Sequence, residues 1–294
     1  MDIEAISGAA TVALASAIFF VLVAKSWAVL SRSVDFRTSF NDSIMREAAQ
    51  RFRDEFERLS CAQSIYLGAI LVFIVLFATA YALRARELFA GYPAWQLNLQ
   101  LIFLALALCF AVYRLSDTMF TRRRIGLLRD ANLAVGHQLQ QISAGGARVF
   151  HDVTTSAGVV DHVVVGQSGI YAVNVMARRP SRNGEVRLSG NELRYSNSKT
   201  PGSIIPLMAR NARLEKEFTE LLGHKVRVRS VIAVPGWEVG EQASHNHLLV
   251  NERTIGMMRG WKDRSDYLMN EDVDALQRNL TARCRRSARS KPRR

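Results

Sequence analysis

The chain is short of cysteine. Its 294 residues hold three, Cys61, Cys109 and Cys284, far apart and with no C-x-x-C pair. That spacing excludes a disulfide framework and a thiolate zinc site. Several enzyme signatures are also missing: there is no G-x-x-x-x-G-K-[ST] phosphate loop, no G-x-S-x-G elbow and no H-E-x-x-H pair. His151, His224, His245 and His247 form no recognisable metal or triad constellation, and no internal repeat occurs. Acidic residues number 26 against 39 basic ones, leaving a net charge of +13 and a pI near 10.3. At 49% hydrophobic residues, the chain is too apolar to be disordered.

Charge is absent altogether from three stretches, 6–24, 64–83 and 95–113. A helix rises ~1.5 Å per residue, so about 20 residues cross a ~30 Å hydrocarbon core. Each stretch is therefore predicted to span a membrane. The first is read as a span rather than a cleaved leader because Met1-Asp2-Ile3-Glu4 is acidic, where a leader needs positive charge. None of the three carries an interior Asp, Glu or Arg, so an ion or proton path has no candidate residues. The flanks set a topology. The N-terminus has no basic residue, whereas the 31–63 connection has Arg32, Arg37, Arg46, Arg51, Arg53 and Arg58, and Arg114 and Arg122–Arg124 follow the third span. The excess of Arg predicts the N-terminus outside and the C-terminal half in the cytoplasm.

Within that connection Phe36, Phe40, Ile44, Ala48, Phe52, Phe56 and Leu59 recur at near-helical spacing, with charged residues between them. The pattern predicts an amphipathic helix near 34–60. Three surfaces are open to it: the inner membrane face, the C-terminal domain, or a second copy of the chain. The spans offer another route to a homo-oligomer.

Residues 120–294 hold 29 basic and 16 acidic residues and supply the whole excess charge. They alternate between the two periodicities. Apolar residues at Leu127, Leu128, Leu133, Val135, Leu139 and Ile142 suit a helix. The runs 148–153, 159–165 and 170–177 read as strands, the last two joined by Gly166-Gln167-Ser168-Gly169. Gly190-Asn191 marks a second hairpin between 185–189 and 192–195. Residues 206–222 read as a helix with Pro206 at its start and Gly223 past its end. A strand at 225–234, a short strand at 247–250, a short helix at 254–261 and a last helix at 271–284 complete an α/β sheet layered with helices.

The residues of this half resemble a known family. Gly136 lies near the end of an Ala/Leu-rich helix. Val160-Asp161-His162-Val163-Val164-Val165-Gly166 and Ser168-Gly169-Ile170-Tyr171-Ala172-Val173 follow. Together they resemble the nuclease-related domain, NERD. The later Asn211-Ala212-Arg213-Leu214 and Arg227-Val228-Arg229 fit the same pattern more loosely. The resemblance covers roughly 125–262. It implies the PD-(D/E)XK, restriction-endonuclease-like fold and metal-dependent phosphodiester cleavage. In the family pattern a Glu follows the helix glycine, an Asp lies on the second strand, and a Glu-x-Lys lies on the third. Those positions are here His137, Asp161, Asn174 and Met176. Asp161 alone is retained as a catalytic candidate. A magnesium-type ion wants several hard oxygen ligands, and a neutral amide and a thioether replace the charged pair. The resemblance therefore implies a degenerate centre with no metal site and no cofactor. Magnesium or manganese would be required only if the site had been rebuilt. A rebuilt set of His137, Asp161 and His162 meets an objection, since His162 neighbours Asp161 on a strand and should face the other way.

The end of the chain is basic without relief. Arg283, Arg285, Arg286, Arg289, Lys291, Arg293 and Arg294 occur with no acidic residue between them. Such a tail is expected to be disordered. It suits either anionic lipid headgroups or nucleic-acid phosphates. It lacks interleaved aromatics, so base stacking is not suggested.

The sequence thus predicts an α-helical transmembrane region of three spans followed by an α/β domain, a restriction-endonuclease-like mixed sheet flanked by helices. The expected organisation is a membrane anchor at 1–119, a NERD-like domain at 120–265, and a C-terminal helix with a basic tail at 266–294. The expected protein sits in a bacterial inner membrane, a setting taken from the resemblance. Its expected role is a catalytically inactive binding or scaffolding module, with nucleic acid as one partner class. The alternatives are an active metal-dependent nuclease with displaced ligands, and a structural membrane protein that binds other proteins.

Overall fold

The computed structural model describes residues 3–33, 44–82, 94–143, 146–179, 181, 184–240, 246–261, 263 and 266–285. Chain contacts divide it into two compact units, 1–36 with 55–124 and 37–54 with 125–294.

The first unit is helical. It contains α1 (Ile3–Ser33), most of α2 (Gln50–Ala82) and the first part of α3 (Ala94–Ile142). Within these helices Gly8–Ser31, Gln50–Ala80 and Ile102–Ile142 are long and apolar enough to cross a membrane. Their packing is inverted relative to a water-soluble bundle. Helix α1 buries the small residues Ala9, Ala10, Ala13 and Ala17, and turns Phe19, Leu22, Trp27 and Val29 outward. Helix α3 exposes Ile102, Phe103, Leu106 and Phe110. A surface of that kind is unfavourable in water and suits hydrocarbon, where close contact between small residues holds helices together. Arg122, at the end of this unit's share of α3, donates to Gln63 Oε1 at 2.6 Å and lies 4.7 Å over the Phe56 ring.

The second unit is the α/β domain. Strands β1 (Arg148–Thr155), β2 (Gly158–Gly166), β3 (Gly169–Val175), β7 (Val228–Ala233) and β9 (His247–Val250) form one sheet in the order β1-β2-β3-β7-β9. The pairs β1–β2 and β2–β3 are antiparallel, while β3–β7 and β7–β9 are parallel. Strand β3 is buried along its whole length, as expected for a central strand covered on both faces. Alternation sorts its side chains. Ile170 and Ala172 join Val163, Val165 and Phe150 in a core with α4 (Ile205–Leu222) and α5 (Asn270–Cys284). Tyr171 and Val173 join Val164 and Val231 in a core with Val135 and Leu139 of α3. Helix α4 buries Leu207, Asn211, Leu214 and Phe218, spaced to form one face. It ends at Gly223, whose φ of 74° is left-handed and lets its N–H reach the Thr219 carbonyl.

A smaller sheet, β6-β5-β4-β8, joins β4 (Glu185–Ser189), β5 (Glu192–Tyr195), β6 (Gly202–Ser203) and β8 (Glu238–Val239). The hairpin between β4 and β5 turns at Gly190-Asn191, as its sequence predicts. The two-residue strands and the second sheet itself are findings of the structure, because segments so short carry no period.

Two features differ from expectation. The helix expected over 34–60 begins only at Gln50, and 44–49 is non-helical. Residues 34–43 lie outside the described residues. Met45 forms a bridge with Arg285, Arg46 N–H donates to the Cys284 carbonyl at 2.9 Å, and Ala49 is left-handed at φ 61°. Those long-range backbone bonds give 44–49 partners that a helix would have to forgo. Consequently 37–54, expected with the anchor, belongs to the α/β unit. Second, the third span and the helix near 125–142 are a single helix, α3. No Pro or Gly interrupts Arg114–Ile125, so no signal stops it.

Candidate functional site

Strand pairing brings the family positions of β2 and β3 to one place. The register pairs His162 with Val173, so one step further Asp161 stands beside Asn174 on the opposite face from His162. The Asp161 carboxylate is buried and doubly engaged. Its Oδ2 accepts the Val175 N–H at 2.9 Å and its Oδ1 accepts Arg51 Nη2 at 3.3 Å. Arg51 arrives from the 37–54 segment. Its own N–H donates to Asp152 Oδ2 at 3.1 Å, and Arg46 Nη1 donates to the Asp152 carbonyl at 3.0 Å. Two arginines of that segment therefore clasp two aspartates of the sheet. The segment lies close to α3 as well: a Cβ built on Gly136 would stand 2.5 Å from the Ala48 Cβ, so a side chain at Gly136 would displace Ala48. The family's helix glycine admits the segment here.

Burial pushes the Asp161 carboxyl up to about 6, against the opposing pull of the Val175 N–H and the Arg51 and Arg210 charges. Asp152 is raised for the same first reason, partly offset by Arg51 and Arg46. Asn174 is fully buried, and its amide donates to Asn211 Oδ1 of α4 at 3.0 Å. Asn211 in turn donates to Ser230 Oγ of β7 at 2.8 Å. The position that the family fills with a charge is thus the head of a neutral hydrogen-bonded row from β3 through α4 to β7. Such a row fixes a helix on a sheet. Met176 packs against the cluster of Val186, Leu193, Tyr195 and Trp237.

The remaining sequence candidates are dispersed. His137 is exposed and pairs with Gln141 at 3.2 Å. His162 lies on the other face of β2, where its Nδ1 meets His151 Nδ1 at 2.8 Å. Burial lowers both imidazoles, His151 to about 4. The set His137, Asp161 and His162 is therefore not assembled. Of the basic tail, Arg283 sits on α5 with its Nη1 2.5 Å from Glu217 of α4, and Arg285 is exposed beside its bridge to Met45. Arg286, Arg289, Lys291, Arg293 and Arg294 lie outside the described residues.

The family implies a divalent ion at this place, and the donors do not suit one. Among the described residues no group of three or more His, Cys, Asp or Glu side chains comes together. At Asp161 the candidates are one carboxylate already facing a guanidinium and the Asn174 Oδ1, which is buried and without a hydrogen-bond partner among the described residues. A doubly charged ion needs several hard, preferably anionic oxygens. It would also have to displace Arg51. No catalytic step is derived through such an ion.

Sequence reasoning did not single out Arg51, Asp152, Asn211 or Ser230. Asn211 stood within a fragment that fits the family, so a polar residue on the buried face of an amphipathic helix was a usable signal. Arg51 gave none, since it occupies a polar position in a charged stripe.

No match was found among curated proteins, and none among solved structures. A family model does match within the α/β unit. It is described as the nuclease-related domain and covers residues 129–235, the stretch holding His137, Asp161, Asn174, Met176 and Asn211. The chain carries a NERD region, behind three helices apolar enough to span a membrane.

Proposed function

We propose that the protein is a membrane-anchored, non-catalytic binding or scaffolding module whose NERD region faces the cytoplasm. The observation that carries this reading is the closed state of Asp161. Its two oxygens are taken by Arg51 and the Val175 N–H, and its neighbour Asn174 is committed to Asn211. The arginine-rich flanks of the helices favour an outside N-terminus. The setting in a bacterial inner membrane rests on the family resemblance. The basic excess of residues 120–294 favours polyanionic partners. Nucleic acid is the class the family favours for the domain, and anionic headgroups suit Arg285 and the basic residues that follow it.

The test is cleavage by the full chain in detergent, with single- and double-stranded DNA and RNA, in magnesium and in manganese. Wild type and Asp161→Ala are expected to give the same background. Wild-type cleavage that disappears in Asp161→Ala would replace this reading with that of a nuclease with displaced ligands. Asn174→Glu combined with Met176→Lys restores the family's charged pair, and cleavage gained there would mark a lapsed nuclease.

A further inference from the structure

The helical unit holds a groove that the α/β domain does not explain. It has a volume of about 360 Å³ and is lined by α1, α2 and α3 from Leu14, Phe73 and Leu104 at one end to Lys25, Tyr66 and Ala111 at the other. Apart from Lys25 and Tyr66, every lining side chain is apolar. The size falls in the range of small-molecule sites.

The polarity of the groove is ordered along its length. Leu14 and Lys25 are eleven residues apart on α1. At ~1.5 Å per residue the groove runs about 16 Å along that helix, roughly half of a ~30 Å hydrocarbon core. From headgroup level a groove of that length reaches through one leaflet to the bilayer midplane. Lys25 stands at the headgroup end, 5.6 Å over the Tyr66 ring, and is the one charged residue in the apolar stretch Gly8–Ser31 of α1. An ammonium there extends toward water while its stem lies along the apolar wall. The groove is thus shaped for an acyl chain, and the charge at its mouth for an anion attached to that chain.

We propose that this groove is a binding site for one anionic phospholipid of the leaflet at the Lys25 end, with an acyl chain between the three helices and the headgroup phosphate beside the Lys25 ammonium. This site lies within the helical unit and is distinct from any headgroup contact of the basic C-terminal residues. It does not depend on what the NERD region binds.

The test uses the full chain in a mild non-ionic detergent. Phosphatidylglycerol or phosphatidylcholine is added at equal concentration and bound lipid is counted by native mass spectrometry. Wild type is expected to retain one phosphatidylglycerol with an about fivefold preference over phosphatidylcholine, the contribution of one basic residue near the headgroups. Lys25→Gln should bring the two lipids to parity. Ala107→Phe, which fills the groove without touching the charge, should lower retention of both. A variant with Arg286, Arg289, Lys291, Arg293 and Arg294 all changed to Gln should keep the preference. Equal retention of the two lipids by wild type, or a preference that survives Lys25→Gln, would overturn the proposal. So would a preference lost only in the tail variant, which would assign lipid capture to the tail.

Discussion

Replacing Arg229 by Ala should remove about 3–5 kcal/mol from the stability of the α/β unit. Arg229 lies on β7 and is 6% exposed, and Asp266 is 4% exposed. Nε of the guanidinium donates to Asp266 Oδ2 at 2.5 Å, and Nη2 donates to Asp263 at 2.6 Å. The guanidinium lies 4.7 Å over the Trp261 ring. Asp266 also accepts the Asp263 N–H and crowds Gly169, where a Cβ would stand 3.2 Å from the Asp266 carbonyl. One arginine thus ties Asp263 and Asp266, ahead of α5, to β7, and Asp266 lies against Gly169 at the start of β3. Its removal leaves a carboxylate in a water-poor place without its counter-charge, which accounts for the large cost. Hydrogen exchange of the β3 and β7 amides in the full chain would read it. Arg229→Met combined with Asp266→Leu should recover most of the loss, because the uncompensated charge is then gone. A loss below about 1 kcal/mol for Arg229→Ala would mean that the pair behaves like a solvated surface bridge.

The second large effect has the opposite sign. Asp161→Asn should stabilise the domain at pH 8. The Asp161 carboxyl is raised by burial from 3.8 to about 6, so its ionised form is disfavoured in the folded state despite Arg51. The stabilisation linked to a raised carboxyl is present below the unfolded value and lost as pH climbs through about 6. At ~1.36 kcal/mol per pH unit, Asn should gain about 2–3 kcal/mol at pH 8 and little at pH 4. The amide keeps an oxygen for the Val175 N–H. The buried imidazoles run the other way. His151 and His162 are lowered by burial, so folding releases protons that the unfolded chain holds. Their contribution is present above about 6.5 and falls as pH drops toward about 4. In wild type the two trends oppose each other between pH 4 and 6.5. In Asp161→Asn the opposing trend of Asp161 is gone and, of the two buried carboxyls, only that of Asp152 remains, so stability should rise more steeply with pH. Urea unfolding in detergent across this range measures both curves. An Asn variant less stable than wild type at pH 8 would show that the Arg51 pair outweighs the desolvation of the carboxylate.

Most of the domain's elements were legible because their signals are local. The hairpin between β2 and β3 turns between Gly166 and Gly169, and α4 starts beside Pro206 and stops at Gly223. Each is a property of a few adjacent residues. The apolar spacing of Ile44, Ala48 and Phe52 misled for a related reason. Residues that cover one surface recur at similar intervals whether the backbone is helical or folded against a neighbour, and here the neighbours are Cys284, Arg285 and Gly136. The centre was legible only by subtraction. Loss of the charged pair at Asn174 and Met176 could be read from the chain. The pairing of Asp161 with Arg51, more than a hundred residues away, could not. A guanidinium in a charged stripe looks the same whether it faces water or a buried carboxylate. Asn174 bonding to Asn211 is equally non-local, since it needs the placement of α4 on the sheet.

Manganese binding to the full chain, followed by electron paramagnetic resonance of the free ion at pH 8 in detergent, tests the central claim most directly. The claim is that Arg51 stands with Asp161 where the family holds a divalent cation. Titrations of wild type and Asp161→Ala should overlay, with no saturable site at Asp161. Uptake of one ion per chain by wild type, absent in Asp161→Ala, would contradict the account and return the NERD region to the metal-dependent nucleases.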